Sequence, residues 1–140
     1  MSLNTIFDIA GSAMTAETAR LKTSAGNLSN ANVEAGSPEE VYQAKYPIFE
    51  AVQETANQWM GDQVKAGVQL KGTYESDAEP TKRHDPNNPL ADENGFVYIS
   101  NINYIEEMAN VISASRSYQM NIELLNTTKQ LMQRTLQLGQ

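Results

Sequence analysis

The last third of the chain constrains the rest. From Asn103 to Gln140 it reads NYIEEMANVISASRSYQMNIELLNTTKQLMQRTLQLGQ, and no Gly or Pro interrupts it before Gly139. Tyr104, Val111, Tyr118, Leu125 and Met132 recur every seven residues, and Met108, Ile122 and Leu136 stand four places after members of that row. This spacing predicts one long amphipathic helix with a heptad-like stripe. Such a helix is a rod of ~50 Å at ~1.5 Å per residue. A compact domain of 140 residues cannot bury it. It needs a second long helix, from this chain or from a neighbour.

The polar side of this segment is nearly uncharged: Ser113, Ser115, Ser117, Gln119, Asn121, Asn126, Thr127, Thr128, Gln130, Gln133, Thr135 and Gln137. Glu106 and Glu107 sit at its start and Lys129 and Arg134 near its end, as a helix dipole favours. Asn103 followed by Glu106 predicts a cap at the first turn. Amides and hydroxyls are buried at modest cost when neighbours supply hydrogen bonds, and charges are not. The segment therefore reads either as a helix packed on several sides or as a one-partner coiled coil with a bland surface.

A second helix is expected over residues 3–30. Phe7, Met14, Leu21 and Leu28 recur at seven, Leu3 and Ala10 flank them, and Ile6 and Ala13 widen the stripe. Gly11 and Gly26 each weaken it by ~1 kcal/mol relative to Ala. Ala10, Gly11, Ala13, Ala16 and Ala25 allow a close neighbour. Asn27, Asn30 and Asn32 crowd the exit, where Asn is able to form a left-handed cap.

The middle is different in kind. Residues 41–55 and 63–76 carry partial alternation and read as strands, the first demoted to an edge or broken strand by Pro47. Residues 33–40 and 77–95 read as loops, Asn94-Gly95 as a tight turn, and 96–102 as a short strand leading into the last helix. The expected fold is mainly α with a small β-unit. The N- and C-terminal helices, 1–32 and 103–140, are packed as a coiled-coil-like pair around a short β/loop middle, 33–102.

Charge follows the same division. The whole net charge of −7 falls on residues 33–100, with twelve acids against Lys45, Lys65, Lys71, Lys82 and Arg83. The two ends sum to zero. No basic stripe exists to neutralise phosphates, so nucleic acid is not an expected partner. No run of 18 apolar residues exists, so no membrane insertion is expected. An ordinary secretory signal is also not expected, because the first basic residue is Arg20 and no apolar h-region follows the start. The chain contains no Cys, which excludes thiolate sites.

The most enzyme-like cluster is His84, Asp85, Asp92 and Glu93. His84 is the only His, and no second imidazole or thiol completes a metal set. Ser113, Ser115 and Ser117 lack a nucleophile elbow. No catalytic residue, metal or cofactor is expected. Trp59 reads equally as a contact anchor or as a cap on the β-unit. Arg116 reads as exposed, or as a partner of Glu123 or of a neighbour's carboxylate.

Several stretches resemble the axial proteins of the bacterial flagellum: rod, hook and hook-associated proteins. SAGNLSNANV (24–33) is similar to their N-terminal signature, and SASRSYQMNIELLNTTKQLMQRTLQLG (113–139) to their closing helix. LNTIFDIAGSAMTAETARL and HDPNNPLADENGFVYISNINYIEEM resemble the small proximal-rod members, as does the overall length. The residues that carry the resemblance include Asn27, Leu28, Asn30, Asn32, Pro89, Asp92, Gly95, Ser115, Arg116, Tyr118 and Asn121. Residues 34–83 lie outside it. The resemblance implies a structural subunit that stacks helically with copies of itself and with other rod proteins. It also implies delivery by the flagellar type III export apparatus, largely unfolded and without a cleaved signal. The assembly core is then expected at Leu3, Ile6, Phe7, Met14, Leu21, Leu28, Val111, Tyr118, Ile122, Leu125, Met132 and Leu136. A rival reading is a helical-hairpin adaptor that binds a single protein partner.

Overall fold

A computed structural model describes residues 3–54 and 65–138. Trp59 lies outside the described residues, and so does the side chain of Leu3. The chain begins with α1 (Leu3–Asn30) and ends with α2 (Tyr104–Leu138). Between them run β1 (Glu34–Ala35), a 3-10 turn (Pro38–Glu40), β2 (Lys45–Glu54), β3 (Lys65–Glu75), β4 (Thr81–His84) and β5 (Phe96–Ile99). Terminal helices around a middle β-region are thus what the sequence led one to expect. With 35 residues, α2 is ~50 Å long.

The strands make two sheets. One has the order β1–β5–β4, antiparallel throughout, with Glu34 opposite Ile99 and His84 opposite Phe96. The other is the two-stranded ribbon β2–β3. β4 corrects the expectation of a structureless loop over 77–95. All four of its residues, Thr81 to His84, are exposed, so it has no apolar pattern to read. Its conformation comes from the backbone ladder with β5. The ribbon strand runs through Pro47, which a two-stranded sheet tolerates because each strand has a free edge.

The chain forms two compact units that cut across the helix–middle–helix division. One comprises Met1–Ala19, Ile48–Gly72 and Ser113–Gln140, the other Arg20–Pro47 and Thr73–Ile112. Each unit therefore takes part of both helices and part of the ribbon.

In the second unit the core is Ala35, Val41 and Tyr98, with Val97 fully buried nearby in sequence. The turn before β5 is held by one side chain. Asp92 Oδ1 accepts from the amides of Asn94 and Phe96, both at 2.9 Å, and Oδ2 accepts from the Tyr98 hydroxyl at 3.0 Å. The Gly95 amide donates to the Asp92 carbonyl at 2.9 Å, and Gly95 has φ +79°. That left-handed conformation explains the Asn-Gly signal. These donors hold the Asp92 carboxyl below its ordinary pKa, the Phe96 amide contributing most, and the same carboxylate pushes the Tyr98 phenol up.

In the first unit the buried helix residues are small: Ala10 on α1, and Ala114 and Thr128 on α2. Ser12 ties α1 to the ribbon. Its hydroxyl donates to Ile9 O at 2.8 Å and accepts from the Val68 amide at 3.2 Å. A Cβ at Gly67 would stand 2.9 Å from that Ser12 oxygen, so glycine permits the approach. Gly11, by contrast, faces open space.

Candidate assembly interface

Asn27 is the most fully engaged residue of the N-terminal signature. It is completely buried near the C-terminal end of α1. Its Oδ1 accepts from the Lys45 amide at 2.9 Å and from the Tyr42 hydroxyl at 3.0 Å. Its Nδ2 donates to the Lys45 carbonyl at 3.0 Å and to Glu107 Oε1 at 3.2 Å. One amide thus satisfies all four of its hydrogen-bonding positions and joins α1, the start of β2 and the first turn of α2. Glu107 is 2% exposed, and its Oε2 has no hydrogen-bond partner among the described residues. Burial pushes the Tyr46 phenol up, and the Glu107 charge adds to it. Burial also raises Tyr42. Beside this node, Lys45 pairs with Glu75 at 2.9 Å.

The other signature asparagines do different work. Asn30 Nδ2 donates to the Gly26 carbonyl at 2.8 Å, within the last turn of α1. No residue other than glycine has positive φ among the described residues, so the expected left-handed Asn cap does not form. Asn32 is exposed. At the entry to α2, Asn103 Oδ1 accepts from the amides of Ile105 and Glu106, at 3.1 and 3.3 Å. That is the cap the sequence predicts. Of the loop residues, Pro89 is exposed, and Asp92 and Gly95 form the turn already described.

The inward face of α2 reads Glu107, Val111, Ala114, Tyr118, Asn121, Leu125, Thr128 and Met132, alternating steps of four and three, and each of these is buried or half-buried. Of the large row of the expected stripe, Val111, Tyr118, Leu125 and Met132 lie on this face, whereas Tyr104, at the start of the helix, is 49% exposed. The large row's partner row is not the expected Met108, Ile122 and Leu136, which are 47%, 39% and 67% exposed in the chain. The partner row is Glu107, Ala114, Asn121 and Thr128, three places after the large row rather than four. Asn121 Nδ2 donates to Ser117 O at 2.9 Å and Thr128 Oγ1 donates to Leu124 O at 2.8 Å, which lowers the cost of covering them. Ser115 is half-buried and Arg116 exposed, and among the described residues Arg116 makes no ion pair. On α1, Ile6, Phe7, Met14, Leu21 and Leu28 are all half-buried.

Two further apolar stripes of α2 are exposed. Ile105, Met108 and Ile112 form one, and Met120, Leu124 and Leu131 the other. At 100° per residue, these stripes and the inward face lie roughly 120° apart around the helix axis. The helix therefore presents apolar surface in three directions and has cover in one.

His84, Asp85 and Asp92 of the enzyme-like cluster each have separate partners. His84 is exposed and meets the Phe96 ring edge-on, with centroids 5.1 Å apart. Asp85 faces Arg83 at 3.6 Å, and Arg83 also pairs with Glu34. Among the described residues no three His, Asp or Glu gather as metal ligands. No helix among them is long and apolar enough to cross a membrane.

Residues 7–34 match the family described as flagella basal body rod protein, and residues 93–138 match the flagellar basal body rod FlgEFG protein C-terminal family. The flagellar basal-body rod protein FlgC of Salmonella typhimurium (strain LT2) is 46% identical over 140 residues, covering all of both chains. FlgC of Escherichia coli O157:H7 is 44% identical over 140 residues, and FlgC of Buchnera aphidicola subsp. Baizongia pistaciae 34% over 143, again with full coverage of each. These similarities run through residues 34–83, which the sequence resemblance did not reach. The chain belongs to the FlgC family of flagellar basal-body rod proteins, which are structural subunits and not enzymes.

Proposed function

We propose that this chain is a subunit of the proximal rod, the periplasm-spanning shaft that transmits torque. In this reading it stacks helically with copies of itself and with other rod proteins after passage through the flagellar type III export apparatus. The observation that carries it is the surface of α2: three apolar faces on one helix, separated by hydroxyls and amides in place of Lys and Glu. A helix that ends its life in solvent carries charges on its outer side. A helix sheathed by neighbours in a tube has no use for them. The two helices pair as an antiparallel, coiled-coil-like couple, a reading supported by the Asn27–Glu107 contact, which joins the end of α1 to the start of α2. The leading apolar residues of that pair are Phe7, Met14, Leu21 and Leu28 on α1 and Val111, Tyr118, Leu125 and Met132 on α2. Membership of a rod family speaks against the single-partner adaptor.

The test is complementation of swimming in cells that lack their own copy. Leu125→Asp puts a charge on the half-buried face of α2 and is expected to abolish swimming, because an unpaired carboxylate there costs several kcal/mol. Leu125→Met is expected to restore it. Normal swimming with Leu125→Asp would remove the assembly role from that face.

A further inference from the structure

We infer that Asn94 is a site of spontaneous deamidation that folding closes and unfolding opens. It is the only asparagine of the chain that precedes a glycine, and it is exposed to water. The nucleophile is the backbone nitrogen of Gly95. Glycine has no Cβ to crowd the approach to that nitrogen. The nitrogen attacks the side-chain carbonyl carbon of Asn94, Cγ. An N–Cγ bond forms, the Cγ–Nδ2 bond breaks, and Nδ2 leaves as ammonia with the proton from the Gly95 nitrogen. The product is a five-membered succinimide. One water then opens the ring at either carbonyl and leaves an aspartyl or an isoaspartyl residue at position 94. Water is the only co-reactant.

The folded turn withholds what this reaction needs. The Gly95 N–H donates to the Asp92 carbonyl at 2.9 Å, so the proton that must leave is held. That bond closes a four-residue turn, and among the described residues only glycine has positive φ. Asp92 to Gly95 is therefore a type I turn with Asn94 in third place, where ψ is about 0°. Ring closure needs the Gly95 nitrogen eclipsed with the Asn94 Cβ, roughly a third of a turn away about the Cα–C bond. That bond is locked, because the amides on both sides of it are tied to Asp92. The Asn94 amide bonds to Oδ1 and the Gly95 amide to the carbonyl, each at 2.9 Å. The Asp85 amide also donates to the Gly95 carbonyl at 2.9 Å. All of these bonds are lost in an unfolded chain. The isoaspartyl product carries the main chain through an extra carbon and moves the amide at 95 out of register with the Asp92 carbonyl. Either product adds a negative charge next to Asp92 and Glu93. A chain that waits unfolded therefore ages at this residue and loses the turn that leads into β5. That consequence rests on the export reading above; the modification itself does not.

The test holds the full chain in one mildly alkaline buffer, either folded or unfolded in guanidinium chloride. Mass spectrometry of tryptic digests follows the conversion of amide to acid, and fragment ions place it. Asn101 and Asn103 lie on the same tryptic peptide, 84–116, and serve as internal controls. In the unfolded chain Asn94 is expected to convert well ahead of both controls. Folding is expected to slow it by at least about tenfold, since the turn must open before attack. Equal rates in the folded and unfolded chains overturn the inference, and so does conversion of Asn101 as fast as that of Asn94. Asp92→Ala removes the carboxylate that holds the turn and is expected to bring the folded-state rate up toward the unfolded one. If Asp92→Ala does not fold, Asp92→Asn decides. It keeps an acceptor oxygen, gives up the charge, and is expected to speed conversion in the folded chain several-fold. A folded variant that converts as slowly as the wild type overturns the inference. None of these outcomes touches the rod-subunit reading, and a failure of complementation leaves the deamidation site standing.

Discussion

Replacing Asn27 by Ala tests the polar node most sharply. The substitution removes four hydrogen bonds: two to the backbone of Lys45, one to Tyr42 and one to Glu107. Three neutral bonds at about 1 kcal/mol each and one to a carboxylate at about 2 give an upper bound near 5 kcal/mol. Lys45 and Tyr42 are half-exposed and recover part of this from water. Glu107 is buried and does not, because its second oxygen is already without a partner. A loss of about 3 kcal/mol is expected, a large share of the ~5–15 kcal/mol that holds a domain together. With a urea slope of about 2 kcal/mol per molar, the midpoint falls by about 1.5 M. Urea titration of the full chain, followed by the NMR signals of Tyr42 and Tyr98, measures it. A drop below roughly 0.3 M would refute the reasoning, since bonds worth so little in sum cannot be what joins three elements. The companion variant Glu107→Gln keeps the oxygen that accepts from Asn27 and removes the buried charge. It is expected to raise the midpoint by roughly 0.5 M, and to lower the pKa of Tyr46, because the Glu107 charge is part of what raises it.

Gly95→Ala is expected to cost about 1–2 kcal/mol, read as a lower urea midpoint, because φ is +79° there and the new Cβ would stand 3.2 Å from Pro86 Cβ. The Asp92 carboxyl, with its pKa held down by the turn, contributes stability that is present above the ordinary carboxylate pKa of about 3.9 and lost as pH falls through the lower folded value. Acid titration of the wild type should therefore show Tyr98 and Phe96 resonances shifting below pH ~4, and Asp92→Asn should remove that dependence. His84→Ala is expected to leave swimming intact, since the ring is exposed and meets Phe96 only edge-on.

What sequence alone revealed follows side-chain size. The large residues Val111, Tyr118, Leu125 and Met132 announce their face because hydrophobic periodicity counts them. Ala114, Asn121 and Thr128 do not, and a hydrophobic count ranks Ile122 above Thr128. Yet Thr128 is the buried one, because its hydroxyl is satisfied by the carbonyl four residues back. Ile122 and Leu136 drew the eye for apolar character that points away from their own chain's cover. β4 was illegible for a different reason: Thr81, Lys82, Arg83 and His84 hold a strand through the ladder with β5, and a ladder leaves no mark on side-chain pattern. Asn27 was legible as a motif residue. Its partners were not, since Lys45 and Glu107 lie 18 and 80 positions away.

The Lys45 amide and carbonyl both bond to Asn27, which lies outside the ribbon. In an antiparallel strand these two groups of one residue point to the same side. At Lys45 they therefore point away from β3, along the free edge of β2. The Asn27 side chain offers them a donor and an acceptor as another strand's peptide group would. It works as a stopper at the place where a foreign strand would begin to pair. On the proposed export route, the chain would meet that hazard each time it folds. On this view the signature asparagine keeps neighbouring ribbons from zipping together before the helices have found their register.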